Sequence, residues 1–170
     1  MSKFIWGIKH TILKDPAIQK RLEQLSDITF KYISEQPIEG CYSCFKLFVG
    51  KKFYIVKTKS LQWTEHNLNK LLKAYNSNGM DGKDLYFPIV KRIHNTETYE
   101  VGIEFICQSN NPYDVIKAEF IALQENFGKS SCLNKNKNPY MPKYKPETKM
   151  YGWLTVNQYL NYKRLLKKYE

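Results

Sequence analysis

The chain has 170 residues with 42% hydrophobic and 15% aromatic side chains, which excludes a disordered chain and predicts a folded domain with a core. Its 27 Lys and Arg residues outnumber 16 Asp and Glu, and the formal net charge of +11 favours a polyanionic partner such as nucleic acid. No apolar run is long enough to cross a membrane and the start lacks a convincing signal peptide, so a soluble cytoplasmic protein is expected.

The predicted elements describe an α+β domain with helical extensions at both ends. In chain order, the apolar spacing, proline positions and β-branched content predict helices at 2–13 and 15–34, strands at 40–49 and 53–57, a helix at 62–75, strands at 85–93 and 99–107, a helix at 111–127, an extended connector at 138–148 and a helix from Thr155. Strands joined by short turns form antiparallel pairs, so a small antiparallel sheet flanked by helices is expected.

Two of the four cysteines, Cys41 and Cys44, form a C-x-x-C pair that invites a zinc or redox interpretation. Within a strand, however, residues three apart point to opposite faces. No second close Cys or His pair completes a metal site, so free thiols are the simpler expectation.

Two short tyrosine motifs, Gly40–Tyr42 and Tyr54–Val56, are separated by eleven residues. Further along, Glu119 falls in a predicted helix and Asn134 follows it by fifteen positions. Together these residues resemble the GIY-YIG nuclease superfamily, whose module has a GIY strand, a YIG strand, a helical glutamate and a late asparagine.

The resemblance covers about residues 38–138, which predicts a GIY-YIG-like domain there. Residues 1–37 then form a helical N-terminal extension, and residues 139–170 form a proline-rich basic connector with a C-terminal helix. The chain departs from the motifs at Cys41, in the position of isoleucine, and at Val56, in the position of glycine.

The resemblance implies a metal-dependent endonuclease that hydrolyses phosphodiester bonds in DNA. Glu119 would hold a single Mg²⁺ or Mn²⁺, since Mg²⁺ is often bound by only one or two protein carboxylates. Tyr42 and Tyr54 would lie close together across the hairpin beside the attacking water, and Asn134 would hold the active-site arrangement. The plain alternatives are a solvent-facing glutamate, ordinary strand tyrosines and a turn asparagine.

The arginine that the family places about eight residues after YIG has no counterpart, because that position is Thr64 and the next helical turn brings Leu68. A two-residue insertion would give these places to His66 and Lys70, which share a helix face. The apolar side of the helix points instead to Asn67. His66 is therefore a candidate catalytic residue and Lys70 a candidate phosphate contact, with the register left open.

Basic residues near the motifs and in the tail are candidates for nucleic-acid contact. They are Lys57, Lys59, Lys135, Lys137, Lys143 and Lys145. Those in the tail alternate with tyrosines, an arrangement that can follow a phosphate backbone and stack on bases, although the tail could equally pack back on the domain.

DNA is the expected partner, with RNA as the alternative. A catalytically degenerate module that binds nucleic acid or protein without cutting is the second hypothesis, supported by Val56 and the missing arginine. A scaffold or inhibitor from a mobile element is a third. The abundance of Lys, Asn and Tyr suggests an AT-rich genome, such as that of a phage or its host.

Overall fold

One mixed four-stranded sheet forms the centre of the protein, in a computed structural model that describes residues 27–77 and 79–170. The predicted helix at 2–13 and most of the next one lie outside the described residues. The strands are β1 (Thr29–Ile33), β2 (Tyr42–Val49), β3 (Lys52–Thr58) and β4 (Glu100–Ser109). Their order across the sheet is β1-β4-β2-β3, so β1 and β3 are the two edges.

Helices cover both faces of this sheet. They are α1 (Leu61–Asn76), α2 (Phe87–Thr96), α3 (Pro112–Asn126) and α4 (Val156–Lys167). The apolar sides of α1 and α2 pack against alternate residues of β2 and β3, among them Phe45 and Leu47. The intervening residues, including Cys44 and Ile55, face α3. Successive side chains of β2 therefore point to opposite faces of the sheet and pack into two separate cores, one on each face.

The α+β class and the flanking helices are confirmed. The hairpin of β2 and β3 is antiparallel, and Val49 pairs with Lys52 across a two-residue turn. Gly50 opens that turn with φ +64°, a conformation that glycine adopts without strain. The strand β1 adds a feature that the prediction lacked, because it pairs with β4 in parallel and makes the sheet mixed.

Two element predictions were wrong. The helix expected to run to Ser34 does not include Thr29–Ile33, which is the strand β1, and its inward residues Phe30 and Tyr32 follow a strand's period of two. The strand expected at 85–93 is instead largely the helix α2. Pro88 lies in the first turn of that helix, where a missing N–H costs nothing.

The C-terminal extension folds back on the domain. Residues Tyr144–Lys145, within the predicted connector, form a short antiparallel pair with Met150–Tyr151, just beyond it. The helix α4 begins as predicted after Thr155, whose side chain accepts a hydrogen bond from the Gln158 N–H in a reciprocal cap. Tyr162 of α4 is buried against Phe120 of α3, with ring centroids 6.1 Å apart. No helix in the described part of the chain has the length and apolar character needed to span a membrane.

Candidate functional site

A cavity of about 550 Å³ opens along the outer edge of β3. Because β3 is an edge strand, the cavity reaches side chains from both faces of the sheet. Six of its lining residues matter for the chemistry: Tyr54, Lys57, Glu119, Asn134, Tyr140 and Trp153.

Asn134 fixes the edge of β3 through its side-chain amide. The Ile55 N–H donates to Asn134 Oδ1 at 2.8 Å, and Asn134 Nδ2 donates to the Ile55 carbonyl at 2.9 Å. Two residues before Ile55 on β3, the Phe53 N–H donates to the Ser131 carbonyl, and the Leu133 N–H donates to the Phe53 carbonyl. The amide of Asn134 thus continues this ladder as a peptide group would.

Glu119 and Lys57 form an ion pair in the cavity wall, with Lys57 Nζ 2.7 Å from Glu119 Oε1. The Glu119 side chain is only 9% exposed and that of Lys57 is 26% exposed. Lys57 stands opposite Cys44 on β2, on the sheet face that α3 covers. A charge pair this far from solvent is held tightly, because either charge alone would lack its hydration.

Glu119 is the residue predicted to bind Mg²⁺ or Mn²⁺, and this role stays a prediction. Its second oxygen, Oε2, has no hydrogen-bond partner among the described residues, and Glu119 lines the cavity. The described residues contain no group of three His, Cys, Asp or Glu side chains suited to a metal. A divalent ion bound through Glu119 would take its other ligands from water and phosphate oxygens.

Tyr54 lies on the other face of β3, and its hydroxyl donates to the carbonyl of Leu85 in the loop before α2. Burial, reinforced by nearby Tyr86 and Glu119, raises the pKa of the Tyr54 phenol far above its usual range. At neutral pH this hydroxyl is therefore a neutral donor that ties the loop to β3.

Alkaline pH should destabilise the protein through its buried tyrosines. Burial raises the pKa of Tyr86 to about 12, whereas an unfolded chain ionises near pH 10. The stabilisation is complete below pH 10 and is lost as pH rises towards 12, by up to roughly 2–3 kcal/mol from Tyr86. Urea unfolding followed by circular dichroism between pH 9 and 11.5 should show this fall, and Tyr86→Phe should make it less steep, because the other buried tyrosines still contribute. Identical slopes for the two proteins would contradict the assignment.

Tyr42 is separated from Tyr54, so the expectation that they lie close across the hairpin was wrong. Tyr54 pairs with Leu47, five residues along β2 from Tyr42, or about 17 Å along the strand. The two tyrosines also belong to opposite faces of the sheet. Tyr42 instead packs on Trp153, with ring centroids 5.3 Å apart, and Trp153 is the residue that lines the cavity.

The helix α1 brings no cation to the cavity. Thr64, at the position of the family arginine, is buried and donates its hydroxyl to Thr58 Oγ1 at 2.6 Å. Leu68 is buried in the core. His66 and Lys70 are exposed and are not part of the cavity lining. Their predicted catalytic and phosphate-binding roles stay predictions.

The remaining candidate lysines lie on the surface at different distances from the cavity. Lys135 is exposed, lines the cavity and holds its ammonium 5.5 Å from the centre of the Phe87 ring. Four others are exposed outside the lining: Lys59, Lys137, Lys143 and Lys145. Lys83, which the sequence did not single out, also lines the cavity.

Trp153 is a site residue that sequence reasoning missed. It lines the main cavity and also a smaller one of about 150 Å³, together with Lys57 and Tyr140. The signal that could have found it is its place in the short stretch between the connector and the Thr155 helix cap, because an extended linker has no need of a tryptophan.

Comparison with known proteins finds no match, since no family model, curated protein or solved structure is significantly similar to this chain.

Proposed function

We propose that the protein is a metal-dependent DNA endonuclease and that the cavity at the edge of β3 is its active site. The observation that carries this proposal is the convergence of Tyr54, Lys57, Glu119 and Asn134 on that cavity. These residues come from a strand, a helix and the segment after it; Tyr54, Glu119 and Asn134 stand at positions that the motif resemblance marks, and Lys57 follows the second motif directly. Glu119 Oε2, which has no hydrogen-bond partner among the described residues, would bind the metal.

Each residue has a distinct part in the proposed reaction. The metal would supply charge neutralisation and activation of water. Lys57 is paired with Glu119, and its ammonium would turn towards a phosphate oxygen of the bound DNA. There it would stabilise the negative charge that develops during attack. Asn134 keeps β3 in place through its two hydrogen bonds, and Tyr54 keeps the loop at Leu85 against the strand. Both act by positioning.

The charge around the cavity agrees with a phosphate-bearing substrate. Lys57, Lys83 and Lys135 line it together with two carboxylates, Asp84 and Glu119. The formal net charge of +11 adds a general attraction to DNA.

A second candidate function is binding of nucleic acid without cleavage. It is favoured by two observations: Thr64 stands buried where the family has its arginine, and Trp153 covers Tyr42. Neither threonine nor a distant lysine reproduces the two-pronged grip of a guanidinium on phosphate.

Nicking of supercoiled plasmid tests the proposal. The purified protein with Mg²⁺ or Mn²⁺ should convert supercoiled DNA to open circles, and a chelator should stop the conversion. A parallel gel-shift measurement with the chelator shows whether DNA is bound. DNA that is bound but remains uncut with both metals would reject the endonuclease and favour the binding module.

A further inference from the structure

We propose that the cavity receives the base of one unpaired nucleotide, which makes single-stranded or locally opened DNA the substrate class. This inference rests on the proposed function and deepens it. The ligand chemistry is that of a nucleotide, with an aromatic base at one end and a phosphate at the other. Three features of the cavity match the two ends of a nucleotide.

The aromatic walls provide the first feature. Tyr140 lines the cavity while 81% of its surface is exposed, and its ring pairs with no other aromatic ring among the described residues. Trp153 is held differently, since Tyr42 packs against it. One ring is thus free to cover a guest and the other is a fixed wall. Stacking of a base on such rings is tolerant of sequence, because every base has an aromatic face.

Side-chain amides provide the second feature. The amide of Asn134 is committed to β3, but Asn136 and Asn138 also line the cavity. Asn138 accepts one bond from Gln124 Nε2 at 3.3 Å, and Asn136 makes no side-chain hydrogen bond with the described residues. Each amide offers both a donor and an acceptor, the groups that recognise the edge of a base.

The third feature is that base and phosphate sites share one space. The cavity of about 550 Å³ lies within the range that holds small organic ligands. Lys57 and Glu119 line the same space, so a base placed there would bring its own phosphate to the proposed reaction centre. In duplex DNA the base edges and faces are occupied by pairing and stacking, and a base reaches such a cavity only when it leaves the helix.

Binding measured in the presence of a chelator tests the inference independently of cleavage. The probes are a fluorescent single-stranded oligonucleotide, the same oligonucleotide with abasic sites throughout its centre, and a free mononucleotide as competitor. Tyr140→Ala should weaken binding of the base-containing strand about tenfold, the effect of losing one stacked base. It should change binding of the abasic strand less than about twofold, because phosphate contacts are retained.

Two further variants complete the test. Tyr140→Phe should bind like the wild type, since it keeps the ring. Tyr144→Ala removes another half-exposed tyrosine, outside the cavity, and should leave discrimination against the abasic strand intact.

Equal effects of Tyr140→Ala on both strands would overturn the inference, and so would loss of discrimination in Tyr144→Ala. A mononucleotide that binds as tightly as the oligonucleotide would assign the cavity to a free nucleotide and overturn the strand assignment. These binding measurements contain a chelator and do not depend on cleavage. They can therefore be interpreted even if the protein does not nick plasmid DNA.

Discussion

Glu119→Gln is expected to lower metal-dependent nicking by about a hundredfold or more, the order of loss seen when one transition-state contact is removed. Glutamine keeps the shape of the side chain and an oxygen that accepts the Lys57 hydrogen bond, so the fold should remain. What it loses is the negative charge that would bind a divalent ion. Initial rates of open-circle formation across a range of Mg²⁺ and Mn²⁺ concentrations measure the effect.

Glu125→Gln is the matched control for this substitution. Glu125 lies on the same helix, α3, but is exposed and does not line the cavity. It should nick at the wild-type rate. Equal rates for the two variants would show that the cutting does not depend on Glu119 and would remove the cavity from the reaction.

Lys57→Met is expected to destabilise the protein by about 2–3 kcal/mol, because it leaves the Glu119 carboxylate buried without its partner. Breaking a fully buried pair costs about 3–5 kcal/mol, and the partial exposure of Lys57 reduces this. Adding Glu119→Gln removes the stranded charge, so the double variant should be more stable than Lys57→Met alone. Urea unfolding of the four proteins forms a double-mutant cycle, with an expected coupling of about 1–3 kcal/mol.

The exposed pair Lys31–Glu100 is the control for this cycle. Its atoms are 3.0 Å apart, yet the side chains are 71% and 59% exposed. Lys31→Met should therefore cost no more than about 1 kcal/mol. A loss as large as that of Lys57→Met would mean that burial does not explain the difference between the two pairs.

Elements with strong local signals were predictable from the sequence. The helices α1, α3 and α4 begin after Ser60, Asn111 and Thr155, whose side chains all accept hydrogen bonds from N–H groups of the first turn. The hairpin of β2 and β3 was marked by aromatic and β-branched residues on both sides of a glycine turn. These signals lie within a few residues of one another and do not depend on the rest of the fold.

The helix α2 was missed because its composition is that of a strand. Aromatic and β-branched residues dominate residues 85–93, and short apolar stretches suit either element. The deciding features were the position of Pro88 and the burial of Ile89, Val90 and Ile93 on one helix face. Packing against the sheet, which the sequence does not display, selected the helix.

The sequence indicated which residues line the candidate site better than it indicated how they are arranged. The motif spacing selected Tyr54, Glu119 and Asn134, and all three line the cavity. The resemblance placed Tyr42 beside Tyr54, whereas the two-residue turn at Gly50 sets a register in which Tyr54 pairs with Leu47. The pair of Lys57 with Glu119 joins residues 62 positions apart, and no local pattern marks it.

Residues 131–134, which are hydrogen-bonded along the edge of β3, also affect the tendency of the protein to aggregate at high concentration. An exposed strand edge is a template on which other chains can add and start aggregation. Here Phe53 and Ile55 already have their edge-facing N–H and carbonyl groups satisfied by the segment ending at Asn134. The next edge-facing residue is Lys57, whose charge discourages an added strand. Asn134 therefore keeps this edge from pairing with a second copy of the chain while leaving Lys57 accessible from the cavity.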